Sequence, residues 1–213
     1  MALLAADLGL PVAEPVLVHL IDGFVDALPG EQSQLAQEMR QSVFPTFGCR
    51  RLPAGFSVWA ADSEISEQSV EAAAEIFAFD ALTLNVDRRA KNPNCQWNGK
   101  SFAIFDHELA LDSAQIGTFL LPAPWQPNGL VMLTQGDGKH ALFDGLNKRE
   151  PALTRLQAAW RSIEAERFES YRNVVPHEWL IHGTGTLDDA INYLNLLRDH
   201  IDEAFDCVRG ALV

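Results

Sequence analysis

The stretch LNVDRRAKNPNCQWNGKSFAIFDHELAL, Leu84 to Leu111, gathers aspartates, asparagines and a basic cluster around one short turn. Asn98-Gly99, flanked by NCQW and KSFAIF, predicts a two-residue type I′ hairpin turn, because both central positions of that turn need positive φ. In that register Trp97 faces Lys100, and Asp106 returns opposite Lys91, beside Asn92. The hairpin therefore brings Asp106 back to the end where Asp87, Asn92 and Asn94 cluster. Pro93 cannot take part in a regular ladder there, so the register predicts proximity but not the direction of each side chain. One carboxylate with an amide five residues later, plus a carboxylate from the returning strand, forms a kit of hard oxygen ligands. Such ligands suit Mg²⁺, which keeps several waters and takes phosphate oxygens for the rest. A second carboxylate nearby can orient or deprotonate a hydroxyl, and phosphoryl transfer needs little beyond such positioning and charge neutralisation.

Upstream of this stretch, Ser66 to about Leu84 reads as a helix capped by Ser66. Val70, Ala73, Ala74, Phe77 and Ala81 make its core-facing stripe. Residues 2–9 are Ala/Leu-rich and helix-like, Pro15–Ile21 reads as a strand, and residues 31–41 are helix-compatible. Gly117–Pro127 reads as a proline-broken loop. The C-terminal third is helical, with one stripe at Leu153, Leu156, Trp160 and Ile163 and a second running from Leu187 through Ile191, Leu194, Leu197 and Ile201 to Phe205. Thr186 with Asp189 resembles a capping box. The order is a small α/β beginning, a hairpin, and a helical end.

The 213 residues carry 47% apolar and 21% charged residues, the composition of a globular chain. A formal net charge of −13 repels nucleic-acid phosphates and anionic membranes, so neither is an expected partner. No apolar run is long enough to span a bilayer. The N-terminus lacks the basic region of a secretory signal, which leaves the cytoplasm as the expected location. Cys49, Cys95 and Cys207 have no metal-type spacing and read as reduced thiols. The HEWLIH run, His177–His182, places its second histidine one residue too late for a helical zinc pair.

The order Asp87, Asn92, hairpin, Asp106 is similar to the protein-kinase order of catalytic-loop Asp, Asn five residues on, hairpin, and the Asp of D-F-G. Asn85-Val86-Asp87 stands in place of His-Arg-Asp, and Asp106-His107-Glu108 in place of Asp-Phe-Gly. FDALTLNVDRRAKNPN followed by FAIFDHELAL resembles the HipA-like kinases, closest to their compact group, and LGLPVAEPVLVHL and FGCRRL are similar to segments of that group. The resemblance spans about residues 3–111 and is strongest over 75–111. It implies an α+β, protein-kinase-like fold, with residues 1–60 a partial N-terminal lobe and hinge and residues 61–213 the catalytic, mainly helical C-terminal lobe. It implies Mg²⁺ and ATP as cofactors and transfer to a Ser or Thr hydroxyl of a protein substrate. Asp87 would be the catalytic aspartate, and Asn92 and Asp106 would hold the metal. Asn94 would be an accessory ligand, Arg88 or Lys91 would contact phosphate or acceptor, and His107 would be a structural hydrogen-bonding residue.

The family's glycine-rich strand-turn-strand and strand lysine are not found ahead of MALLAADLGLPV, and the first lysine is Lys91. Gly136-Asp137-Gly138-Lys139 reads as a turn, not a P-loop. Three readings stay open on this point: a misplaced start, a lid supplied by a partner subunit, or a pseudokinase-like interaction module without activity. Asp80 reads as a hydrogen-bond partner rather than a catalyst.

Overall fold

A computed structural model describes residues 1–60, 62–111 and 122–213, excluding the side chains of residues 31 and 182–185. Helices α1 (Ala2–Asp7), α2 (Ser33–Gln41) and α3 (Val70–Leu82) are interleaved with strands β1 (Pro15–Val18), β2 (Thr46–Cys49) and β3 (Ser57–Val58). The hairpin β4 (Cys95–Trp97) and β5 (Phe102–Ile104) follows. Then come α4 (Val131–Thr134), α5 (Phe143–Leu146), α6 (Thr154–Ser162), α7 (Ala165–Arg172), α8 (His177–Asp199) and α9 (Ile201–Ala211). The α+β class expected from the sequence is the class observed. Of the loop expected at 117–127, residues 117–121 lie outside the described part, and residues 122–127 contain neither helix nor strand.

The sheets are small and antiparallel: β1 pairs with β2, and β3, β4 and β5 form a three-stranded sheet in that order. Aromatic packing holds the second sheet, with the Trp97 and Phe102 rings 4.5 Å apart across the hairpin and Trp59 5.2 Å from Phe102.

Helix α3 is the centre of the molecule. The sequence predicts one apolar stripe, but Ile76, Ala78 and Phe79 are as buried as Phe77 and Ala81. Elements pack on it from several sides, including α5 and α9. A helix enclosed this way is apolar around most of its circumference. The chain enters it through a 3₁₀ turn, Glu67–Ser69, and Ser66 bonds Ser69 Oγ at 2.8 Å instead of capping the helix.

The C-terminal stripe divides between two helices at His200, whose ring stacks on Trp125 at 5.1 Å. Helix α8 begins at His177, so Thr186 and Asp189 lie mid-helix and form no capping box. The glycines of GTGT suggest a later start, but docking of the helix outweighs their low propensity. Trp179 Nε1 donates to the Pro45 carbonyl at 2.5 Å, fixing the first turn of α8 against the β2 end. His182, the second histidine of HEWLIH, lies outside the described side chains.

Candidate active site

The site begins where α3 ends. Leu84 adopts φ 55, the Asn85 amide returns to the Asp80 carbonyl at 2.8 Å, and the Leu84 amide to Ala81 at 3.4 Å. These two bonds form a Schellman cap built on leucine instead of glycine. The cap turns the chain sharply into the loop 85–94. Asn85, fully buried, donates to Asp80 Oδ1 at 2.7 Å and accepts the Asp87 amide at 3.4 Å.

Asp87 is 7% exposed, and its carboxylate is met by three donors. Asn92 Nδ2 lies 2.5 Å and Asn94 Nδ2 3.1 Å from Oδ2, and Arg89 lies 3.3 Å from Oδ1. Reciprocal main-chain bonds between Arg89 and Asn92 close the turn that carries Lys91, which is exposed.

The hairpin delivers Asp106 as the sequence predicts, though by a different register. Trp97 faces Phe102, leaving a four-residue loop in place of the expected two-residue type I′ turn. Only Gly99 is left-handed, at φ 91. Asn98 instead uses its side chain, accepting the amides of Lys100 at 3.0 Å and Ser101 at 2.8 Å. The Phe105 amide continues the pairing to the Asn94 carbonyl at 3.2 Å, which puts Asp106 opposite Pro93 rather than Lys91. A shift of two residues preserves the faces of the strands. Asn94 Nδ2 also reaches the Asp106 carbonyl, at 3.5 Å. Asn94 therefore bridges the two acidic residues, a role its place in the sequence does not reveal.

Arg88, expected to contact phosphate or acceptor, points inward. Its side chain and that of Asp80 are both 0% exposed, with Nε 2.5 Å from Asp80 Oδ2. Its guanidinium also donates to the Asn94 carbonyl. This geometry leaves no face for a phosphate, because the guanidinium is fully buried and bonded to Asp80 and Asn94. Asp80 is the hydrogen-bond partner expected, bound by Asn85, Arg88 and His140 Nε2, the last at 2.9 Å. Burial alone would raise the Asp80 pKa, but the Arg88 charge and the His140 hydrogen bond hold it well below the usual carboxylate range. Burial lowers the His140 pKa, and Nδ1 accepts the Leu142 amide at 3.2 Å, so the ring is the neutral Nε2–H tautomer. His107 is buried and pushed down to about 4 by desolvation, and its Nε2 has no hydrogen-bond partner among the described residues. His140 is the member of the site that the sequence does not reveal, and Arg89, part of the basic cluster, turns to Asp87. His140 lies 60 positions from Asp80, beyond any local pattern.

Oxygens from Asp106, Asn92 and Asp87 are the hard donors that suit Mg²⁺. The Asn92 amide nitrogen faces Asp87, so its Oδ1 is the atom left for a metal. Among the described residues no group of three or more His, Cys, Asp or Glu is placed to hold an ion. A cation here would draw its remaining ligands from water and phosphate, as Mg²⁺ does. A cleft of about 520 Å³ is lined by Arg50, Arg51, Leu52, Ala13, Gln96 and Phe105, the residue before Asp106, among others.

The class of protein is shown by family comparison: the HipA-like kinase family model matches residues 1–206. The chain belongs to the HipA-like kinase family, and membership implies a kinase-type transferase that uses ATP, usually with Mg²⁺. Comparison with curated proteins and with solved structures found no match. Among the described residues no helix is long and apolar enough to cross a membrane. Gly136–Gly138 forms a 3₁₀ turn, and Lys139 pairs with Asp144 at 2.6 Å. Cys95 is buried, with its thiol pushed up to about 12 by desolvation; Cys49 is exposed and Cys207 half-buried, and all three are free.

Proposed function

We propose that this chain is the catalytic region of a HipA-like kinase that transfers the γ-phosphoryl group of Mg·ATP to a protein Ser or Thr hydroxyl. The observation that carries this reading is the Asn94 bridge, which joins the Asp87 carboxylate to the Asp106 main chain. In the reaction the acceptor hydroxyl oxygen bonds to the γ-phosphorus as the bond to ADP breaks. Asp87 orients that hydroxyl and takes its proton. Asn92 Oδ1 and the Asp106 carboxylate would hold the cation, with Asn94, bonded to both Asp87 and the Asp106 main chain, fixing the approach of the two segments. Bound Mg²⁺ would neutralise charge on the phosphates. The cleft beside Phe105 has the size for a nucleotide. Arg51, at the wall of the cleft, and Lys91, exposed on the catalytic turn, would then supply positive charge to the phosphates. In this reading residues 1–60 form a partial N-terminal lobe and hinge over a C-terminal lobe from residue 61.

The test is transfer of labelled γ-phosphate by wild type, Asp87→Ala and Asp106→Ala, with thermal melts run in parallel. Both variants are expected to lose transfer while remaining folded. Normal transfer by Asp87→Ala would overturn the assignment.

A second reading, a subunit completed by a partner or acting only through one, is favoured by a separate observation. Leu17 and Phe47 are cross-strand partners in the β1–β2 ribbon, yet remain 48% and 50% exposed. They border an apolar groove that also contains Leu3, Val174 and Trp179. Calorimetric titration of the chain alone with Mg·ATP separates the readings: binding supports the first, and its absence favours the second.

A further inference from the structure

We propose that Arg88 is a positioning residue whose buried guanidinium fixes the separation between the Asp87 loop and the Asp106 strand end. The inference rests on the transfer-site reading of Asp87, Asn92 and Asp106, and adds the device that presets their geometry.

A buried ion pair such as Asp80–Arg88 is a poor source of stability, since desolvation offsets most of the attraction and apolar residues of similar volume do as well. What this pair does supply is connection. Nε and Nη2 grip the two oxygens of Asp80 on α3, at 2.5 and 3.4 Å. Nη1 turns the other way, donates to the Asn94 carbonyl, and lies 3.5 Å from the Phe105 carbonyl. Asn94 and Phe105 face each other at the mouth of the hairpin, and Asp106 is the next residue. One planar group thus spans from the central helix to both strands that carry the site. Lysine has the charge but a single nitrogen, and cannot grip Asp80 and Asn94 together in this geometry.

The anchor is itself fixed from a third direction. His140 donates to Asp80 Oδ2 at 2.9 Å, and the following amide, Ala141, donates to the Arg88 carbonyl at 2.9 Å. The segment leading into α5 therefore holds both the side chain that orients Arg88 and the main chain of Arg88 itself. Groups outside a metal's own ligands that orient those ligands commonly govern affinity by about 10–100-fold.

The experiment titrates Mn²⁺ alone into the full chain, read by electron paramagnetic resonance, with amide hydrogen exchange followed on the same samples. Arg88→Lys is expected to weaken Mn²⁺ binding about tenfold and to speed exchange across residues 92–106 while α3 stays protected. His140→Gln, which can still donate to Asp80, should keep more affinity than His140→Ala. Should Arg88→Lys fail to fold, the pair Asp80→Leu with Arg88→Met removes both charges together, and is expected to fold yet bind Mn²⁺ as weakly. Wild-type affinity in either folded variant overturns the positioning role. So does exchange that accelerates equally in α3 and the hairpin, which would mark a purely structural loss. A wild-type chain that binds no Mn²⁺ overturns the transfer-site reading itself, and this inference with it.

Discussion

Asp87 sits among donors, not among acids. Two amides and Arg89 reach its carboxylate, and these hydrogen bonds offset the cost of holding a carboxylate only 7% exposed. The Asn94→Leu variant keeps the volume but removes one of those donors and the link to Asp106. It is expected to cost about 1–3 kcal/mol, seen as a lower urea midpoint, together with a loss of transfer larger than the fraction unfolded explains. Arg51 makes no ion pair among the described residues and lines the cleft next to Phe105. Arg51→Ala is expected to raise KM for ATP roughly tenfold with kcat nearly unchanged, measured by steady-state kinetics. Asp87, Asn92 and Asp106 were legible because they are linked by local spacing and one hairpin. Arg88 was not, since a basic residue beside an aspartate looks the same whether it points to solvent or to a buried partner. Only Asp80, eight residues back in the last turn of α3, decides the direction.

At the scale of elements, the hairpin shows how a correct signal can act through a different turn. Asn98-Gly99 does reverse the chain, but the Asn98 side chain makes the turn by bonding two amides instead of adopting positive φ. Asn98→Ala removes both bonds at an exposed tip and is expected to cost about 1 kcal/mol, read as a small fall in melting temperature with transfer retained. Helix α5 meets the segment before α3 so closely that a Cβ on Gly145 would lie 2.7 Å from Ile65 Cδ1. Ile65 is 2% exposed and has little room to move. Gly145→Ala should therefore destabilise by roughly 1–3 kcal/mol, measured by denaturant unfolding. The same contact is invisible in sequence, because Ile65 and Gly145 lie 80 residues apart. The start of α8 was equally hidden: the glycines of GTGT argue locally against helix, and tertiary docking overrides them.

For the molecule as a whole, the buried polar groups set the response to acid. His140 and His107 are buried neutral, with pKa values lowered by desolvation from 6.5, His107 to about 4. On acidification the unfolded chain binds their protons first. Stability is therefore complete above about 6.5 and is lost as pH falls from there toward 4. Asp80 has its pKa lowered from 3.8, so its contribution persists until pH falls below that value and is lost in a second step. Melting temperature followed against pH should show both stages. His140→Gln should shrink the first without removing it, since His107 remains.

Local pattern determined the helical C-terminal third, the hairpin and the meeting of Asp106 with the Asp87 cluster, because helix periodicity and a two-stranded reversal are short-range properties of the chain. Kinase-family membership was also readable, since its motifs occupy one continuous segment. Tertiary structure alone decided that α3 is enclosed on most sides, that Arg88 turns inward, and that His140 completes the anchor beneath the site. The reason is physical: a side chain's direction and its burial depend on partners from distant parts of the chain, and sequence spacing carries no record of them until the core closes.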